Sequence, residues 1–391
     1  MEKKGRGLWL FHRIVYRILW GPVWLFTVLF LHHRPARPPR IKGPCLIVAN
    51  HNTDYDLMLV AASFHRHMYF VGSEHIWRWG FASKLLQFFF APIARVKGST
   101  DGAAAMAMLR QLRAGRNVCV FAEGNRSFAG ITTPIHPTIG RLAKMSGANL
   151  VVYRIEGGYF TQPRWGTTVR RGSLRTVLAR VYTPDELRAM SRREINDAIS
   201  SQIREDAYAL QDRNHARYLG RRLAEGIETA LFLCPGCGGI QTLKSRDDEF
   251  RCQRCGLLGR YTEYGYLEGA GVPFRTIAEW DAWQDGELRR IVENNVSGEL
   301  FSDGGETLSE VLPDHTVRTA AEGVVSISRT EFRVGETRFS LEEITDMAMF
   351  GRQNLAFTVG DRNYESRSDH FRSARKYLHA YGILRGKPLG V

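Results

Sequence analysis

Three short stretches concentrate side chains able to do chemistry. Asn50-His51-Asn52-Thr53-Asp54-Tyr55-Asp56 sets a histidine five positions before a carboxylate, directly after the apolar run CLIVAN (Cys45 to Asn50). An imidazole so placed can accept a proton from a hydroxyl while the carboxylate fixes its tautomer and stabilises the imidazolium, which is general-base catalysis without a protein nucleophile. The H-x4-D spacing alone also describes a capping loop with an incidental histidine. The second stretch, Ala122-Glu123-Gly124-Asn125-Arg126-Ser127, follows the apolar Val118 to Phe121, and the third is Ile93-Ala94-Arg95-Val96-Lys97-Gly98. Arg95, Lys97 and Arg126 could hold a phosphate through charge-assisted bonds, with Gly124 letting the backbone approach it.

A fourth constellation has different chemistry. Cys234-Pro-Gly-Cys237 and Cys252-Gln-Arg-Cys255 are two C-x2-C turns, each offering two thiolates to one tetrahedral ion, with zinc preferred over a rubredoxin-like iron. A structural zinc clip that lets a small segment fold is the expectation. Lys244, Arg246, Arg251 and Arg254 surround it but are interrupted by Asp247, Asp248 and Glu249, which argues against nucleic acid as a partner. The other two cysteines, Cys45 and Cys119, lie alone in apolar runs, so a disulfide framework is not indicated and a reducing, cytosol-facing location is.

The elements positioning these residues alternate. Strands are expected at 45–50, 68–72, 93–96, 118–121 and 150–155, with helices near 55–64, 81–90, 102–113 and 138–146, the order of an α/β layered domain. Ligands bind at the carboxyl ends of strands in such sheets. With Asp54 as N-cap of its helix, His51 lies in the loop and Asp56 in the first turn, where its carboxylate can fold back to the imidazole.

The chain of 391 residues, 44% hydrophobic, has ample material for a core, which excludes wholesale disorder and a fibrous chain. Residues 1 to 220 hold 32 basic and 14 acidic residues, leaving 22 and 26 for the remainder, so the net charge of +14 belongs to the first part alone. A basic domain attracts phosphate-bearing partners, whether nucleic acid, an anionic membrane or small molecules. Leu8, Leu10, Phe11, Ile14, Val15 and Ile18 recur at helical spacing as in an interfacial helix, and Trp9, Trp20 and Trp24 suit the headgroup level. The apolar run Ile18 to Leu31 spans only about 21 Å as a helix, short of a roughly 30 Å hydrocarbon core. The basic stretch after it argues against signal cleavage. A monotopic or peripheral segment on the cytoplasmic face of a membrane is therefore expected, followed by an extended linker over 34–44.

The ordered blocks resemble the phospholipid and glycerolipid acyltransferase family, which includes 1-acylglycerol-3-phosphate acyltransferases. Its NH-x4-D block appears as Asn50, His51 and Asp56, its second block as PIAR with Arg95, its third as FAEGNRS with Glu123, Gly124 and Arg126, and its fourth as LVVYRI (Leu150 to Ile155). Departures from the family pattern are Ala94 for an acidic residue, Ala122 for proline, Asn125 for threonine, and a fourth block without its proline. The resemblance spans roughly residues 10 to 220. It implies transfer of a fatty acyl group from acyl-CoA or acyl carrier protein to a hydroxyl of a lysophospholipid, with no metal needed for that step. His51 would deprotonate the hydroxyl, Asp56 would orient His51, and Arg95 with the Glu123 to Arg126 loop would hold the acceptor phosphate. The competing reading, a non-catalytic zinc-dependent scaffold on the same fold, is opposed by the intact His51 and Asp56.

Four segments are expected: membrane-associating N-terminal helices and linker (1–40), an α/β acyltransferase domain (41–230), a zinc ribbon (231–262) and a β-rich α+β module (263–391). In that last module β-hairpins precede one helix at 371–384, an order that resembles pleckstrin-homology or GRAM-type lipid-binding barrels.

Overall fold

The computed structural model describes residues 3–73, 81–95, 102–295, 298–312 and 314–387. Two compact units result, one formed by 1–96, 101–163 and 170–218, the other by 97–100, 164–169 and 219–391.

The first unit begins with α1 (Lys3–Phe30), one unbroken helix that joins the amphipathic stretch to the apolar run through Gly21-Pro22. Its 28 residues span about 42 Å, so the length argument from the apolar run alone does not hold. Gly7–Phe30 is long and apolar enough to cross a membrane, judged by length and composition. Yet one face is fastened to the unit: Tyr16 Oη donates to the Phe64 carbonyl and Trp20 Nε1 to the Ala61 carbonyl, both at 3.0 Å.

After α1 come β1 (His33–Arg34), β2 (Cys45–Ala49), α2 (Asp56–Ser63), β3 (Met68–Ser73), α3 (Phe81–Phe90), β4 (Ile93–Arg95), α4 (Gly102–Arg113), β5 (Asn117–Phe121), α5 (Thr138–Ser146) and β6 (Asn149–Glu156). They are followed by α6 (Gly158–Thr161), β7 (Leu174–Tyr182), α7 (Pro184–Ala189), α8 (Arg192–Ile203) and α9 (Ala207–Asn214). The sheet order is β1-β7-β6-β2-β5-β3-β4. Strands β6, β2, β5, β3 and β4 run parallel, while β7, not expected from the sequence, pairs antiparallel to β6.

The apolar runs read as continuous because both sheet faces are covered. Leu46 and Val48 of β2 pack with α4, α5 and α8, whereas Cys45, Ile47 and Ala49 pack with α1 and α2. Cys119 joins the second face, so the two lone cysteines are core residues.

In the second unit β8 (Leu243–Arg246), β9 (Glu249–Cys252), β10 (Leu258–Tyr261) and β11 (Leu267–Glu268) form a small antiparallel sheet. Next comes α10 (Ile277–Asn294), capped by Thr276 and Glu279 in a reciprocal box. Sequence reading left this helix out. Its Gln284 accepts from Phe232 N–H at 3.0 Å and its buried Trp280 donates to the Leu233 carbonyl at 2.9 Å, tying it to the cysteine-bearing segment.

The β-rich region holds β12 (Glu299–Val311), β13 (Val317–Ser328), β14 (Glu331–Val334), β15 (Thr337–Ser340), β16 (Ile344–Phe350), β17 (Asn354–Val359) and β18 (Arg362–Ser368). They form an antiparallel sheet in the order β15-β14-β13-β12-β18-β17-β16. The closing helix α11 (Arg375–Leu384) buries Tyr377 and Tyr381 against it.

Candidate active site

Strands β2 and β5 are neighbours in register, Ala49 opposite Phe121, so the loops leaving their carboxyl ends lie side by side. One carries His51, the other Glu123. His51 Nδ1 lies 2.8 Å from Asp56 Oδ2. With Nδ1–H donating to the carboxylate, Nε2 bears the lone pair, and the ring is 26% exposed. The imidazole stacks on Phe121, centroids 4.6 Å apart at 17°.

Asp56 is fully buried yet saturated. Its Oδ2 also accepts from the N–H groups of Asn52 (2.6 Å) and Thr53 (3.0 Å), and its Oδ1 from Thr53 Oγ1 (2.6 Å). The turn is therefore wound around this carboxylate, and α2 begins at Asp56 with Tyr55, not Asp54, at the cap position. Asp54 instead faces outward, where it pairs with Arg126 Nη1 at 3.1 Å. The same guanidinium lies 3.4 Å from Gln162 Oε1, which accepts from Asp54 N–H at 2.9 Å.

Glu123 points inward. Its Oε1 accepts from the His51 backbone N–H at 2.7 Å, and its Oε2 from Thr133 N–H (2.7 Å) and Thr133 Oγ1 (3.0 Å). Burial pushes its carboxyl up to about 7, with the nearby Asp56 charge adding to the effect and the hydrogen bonds opposing it. Gly124 has φ +74°, and a Cβ there would come 2.7 Å from an Arg95 guanidinium nitrogen. Glycine is thus needed both for the left-handed turn and for the close approach of Arg95. The structure brings His51, Asp56, Arg95, Glu123, Gly124 and Arg126 to one sheet edge; Lys97 lies outside the described residues.

Sequence reasoning missed Glu205. This buried carboxyl accepts from Gly157 N–H (2.8 Å) and from the side-chain amides of Asn50 and Asn52. Asn50 in turn grips β6 through Ile155, accepting from its N–H at 2.7 Å and donating to its carbonyl at 2.9 Å. Burial raises the Glu205 carboxyl to about 8. Glu205 supports the histidine loop from beneath. No local spacing signals it, because it lies some hundred and fifty residues along the chain from the loop it holds.

In the second unit the four sulfurs of Cys234, Cys237, Cys252 and Cys255 lie within 4.8 Å of one another. Sulfurs at about 2.3 Å from a tetrahedral zinc are separated by about 3.8 Å, and the Cys234–Cys255 and Cys237–Cys252 distances are 3.6 and 3.8 Å. The donor set fits a thiolate-bound metal. Each knuckle is closed by a backbone bond, Gly238 N–H to the Cys234 carbonyl and Gly256 N–H to the Cys252 carbonyl.

Residues 28–156 match the family model described as Acyltransferase. Among solved structures, the chain is similar to the 1-acyl-sn-glycerophosphate (LPA) acyltransferase PlsC from Thermotoga maritima, with 14% identity and a TM-score of 0.42 over 55% of this chain and 83% of that one. No curated protein matches it.

Proposed function

We propose that the chain, whose residues 28–156 match the Acyltransferase family model, transfers a fatty acyl group from acyl-CoA or acyl carrier protein to a hydroxyl of a lysophospholipid such as 1-acylglycerol-3-phosphate. The observation that carries this reading is the His51–Asp56 pair at 2.8 Å, at the carboxyl edge of the sheet with the Arg95 guanidinium beside the adjoining loop.

His51 Nε2 takes the acceptor's hydroxyl proton as the oxygen bonds to the thioester carbonyl carbon. The tetrahedral oxyanion then collapses, the carbon–sulfur bond breaks, and the imidazolium returns its proton to the leaving thiolate. Asp56 holds the tautomer and stabilises the imidazolium. Arg95 and Arg126 supply charge-assisted bonds to the acceptor phosphate. Glu123 and Gly124 shape the loop: the carboxyl fixes the His51 backbone, and the glycine lets Arg95 lie against the turn.

A membrane-associated location is part of the proposal, on the cytoplasmic face as the sequence led us to expect. The outward face of α1 exposes Leu10, Ile14, Ile18, Leu25 and Leu29, and α3 exposes Phe81, Leu85 and Phe88. The rings of Phe11 and Phe88 meet at a tilt of 55° with centroids 5.1 Å apart and join the two faces into one apolar surface. We assign zinc to the four cysteines as a structural ion of the second unit.

The test is acyl transfer from labelled acyl-CoA and acyl carrier protein to a panel of lysophospholipids in liposomes, comparing wild type with His51→Ala. Transfer that disappears in the variant supports the reading and names the donor and acceptor. Equal rates in both proteins would sink the general base.

A further inference from the structure

At the amino ends of β2 and β5, the edge opposite His51 and Glu123, lies a cavity of about 920 Å³ between α1 and the sheet. Five arginines line it: Arg13 and Arg17 from α1, Arg37 from the segment before β2, Arg66 from the loop before β3, and Arg116 from the loop before β5. Among the described residues that line it there is no Asp or Glu. Trp9 and Trp20 complete the wall, with Arg13 over the ring of Trp9 at 4.6 Å and Arg37 over that of Trp20 at 5.8 Å.

The α1 positions involved, 9, 13, 16, 17 and 20, share one helix face. The exposed apolar positions 14, 18, 25 and 29 form a second, outward face. Arg66 is fixed by the carbonyls of Ile41 (3.0 Å) and Gly43 (2.7 Å), and Arg116 donates to Gln111 at 2.8 Å. Burial above all, with lesser contributions from His12, Arg13 and Arg116, holds the imidazole of His67 in the same wall down at about 4, so it is neutral at physiological pH.

We propose that this cavity is a second anion site, one that binds a phosphate group such as an anionic phospholipid carries in its headgroup. Guanidinium forks match phosphate oxygens in pairs, and a phosphate would relieve the mutual repulsion of the five clustered cations. The volume is that of a small-molecule site and exceeds what one phosphate needs, leaving room for a headgroup. Five residues of β2 separate it from the catalytic loops by about 16 Å, so a phosphate held here is not the one presented to His51. The site orients the protein on an anionic surface and does not depend on the acyl-transfer reading.

The experiment uses full-length protein. Binding is measured to phosphatidylcholine vesicles with and without phosphatidate, for wild type, Arg13→Gln/Arg17→Gln, His51→Ala, and a control that removes two exposed charges elsewhere on the same unit, Arg188→Gln/Arg193→Gln (67% and 92% exposed). The cavity variant is expected to lose about tenfold or more in phosphatidate-dependent binding, and the control and His51→Ala less than about twofold. Competition by inorganic phosphate on the wild-type protein needs no variant. Displacement by phosphate beyond that by chloride of equal ionic strength means that the cavity takes the free anion as well. Loss in the cavity variant without such displacement assigns it to the lipid-borne headgroup. Equal losses in the cavity and control variants, with chloride as effective as phosphate, would mean diffuse surface attraction and overturn the proposal.

Discussion

The backbone N–H of His51 donates to Glu123 Oε1 at 2.7 Å, and the His51 carbonyl accepts from Ser127 N–H at 3.4 Å. The loop after β5 therefore grips both sides of the residue that carries the imidazole. Glu123→Ala removes that grip and leaves Thr133 without its acceptor. The expected result is a fall in kcat of about a hundredfold, the scale of a displacement near 1 Å, with a smaller change in KM. Glu123→Gln keeps one acceptor and should fall between. Steady-state kinetics on the identified acceptor separate the two parameters.

Glu205 supports the same loop from below, and its carboxyl sits at about 8 in the fold against 4.5 when solvated. Because the folded value is raised, the neutral form is the one the fold favours. Its contribution is complete below about 4.5 and is lost as pH rises through about 8. The melting temperature of wild type should thus fall relative to Glu205→Gln as pH goes from 5 to 9. A difference between the two proteins that stays constant over that range would contradict the assignment.

The sequence exposes what is local and hides what is not. His51 and Asp56 are legible because five residues of one turn set their distance, and the α2 to α5 and β2 to β6 alternation because both faces of the sheet are buried. The cap was misjudged: Asp54 and Asp56 are both credible caps by type, and only the fold shows that the donors of Asn52 and Thr53 converge on Asp56. Glu205, Gln162 and β7 act across 19 to 155 positions with no period to betray them. The helix α10 was missed because its amphipathic pattern contains polar positions that are buried, Asp281 and Gln284, which pair with Arg375 and the Ala230 carbonyl.

The four cysteines give a third expectation. Purified protein should carry one zinc per chain by elemental analysis, and Cys252→Ser none. Thiolate-bound structural zinc contributes on the order of 10 kcal/mol to folding of a small metal site. The variant, or wild type treated with a strong chelator, should therefore lose the melting transition of the second unit. An unchanged transition with full metal loss would show that α10 and the two sheets hold this segment without the ion.

Arg126 reaches across the histidine loop to Asp54, and the pair is asymmetric: the guanidinium is 11% exposed and the carboxylate 67%. An ion pair with one partner so exposed is worth about 1 kcal/mol or less. An incoming phosphate, carrying more charge and able to bond in a fork, should displace Asp54 at small cost. Arg126→Ala is then expected to raise KM for a phosphorylated acceptor by about ten- to a hundredfold, as loss of a hydrogen bond between charged groups does. The effect on kcat should be modest. Asp54→Asn removes the competitor and should lower KM by up to about threefold, most clearly at low salt where the pair is least screened. If Asp54→Asn raised KM as much as Arg126→Ala does, the pair would be part of the acceptor site itself and not a latch that the acceptor opens.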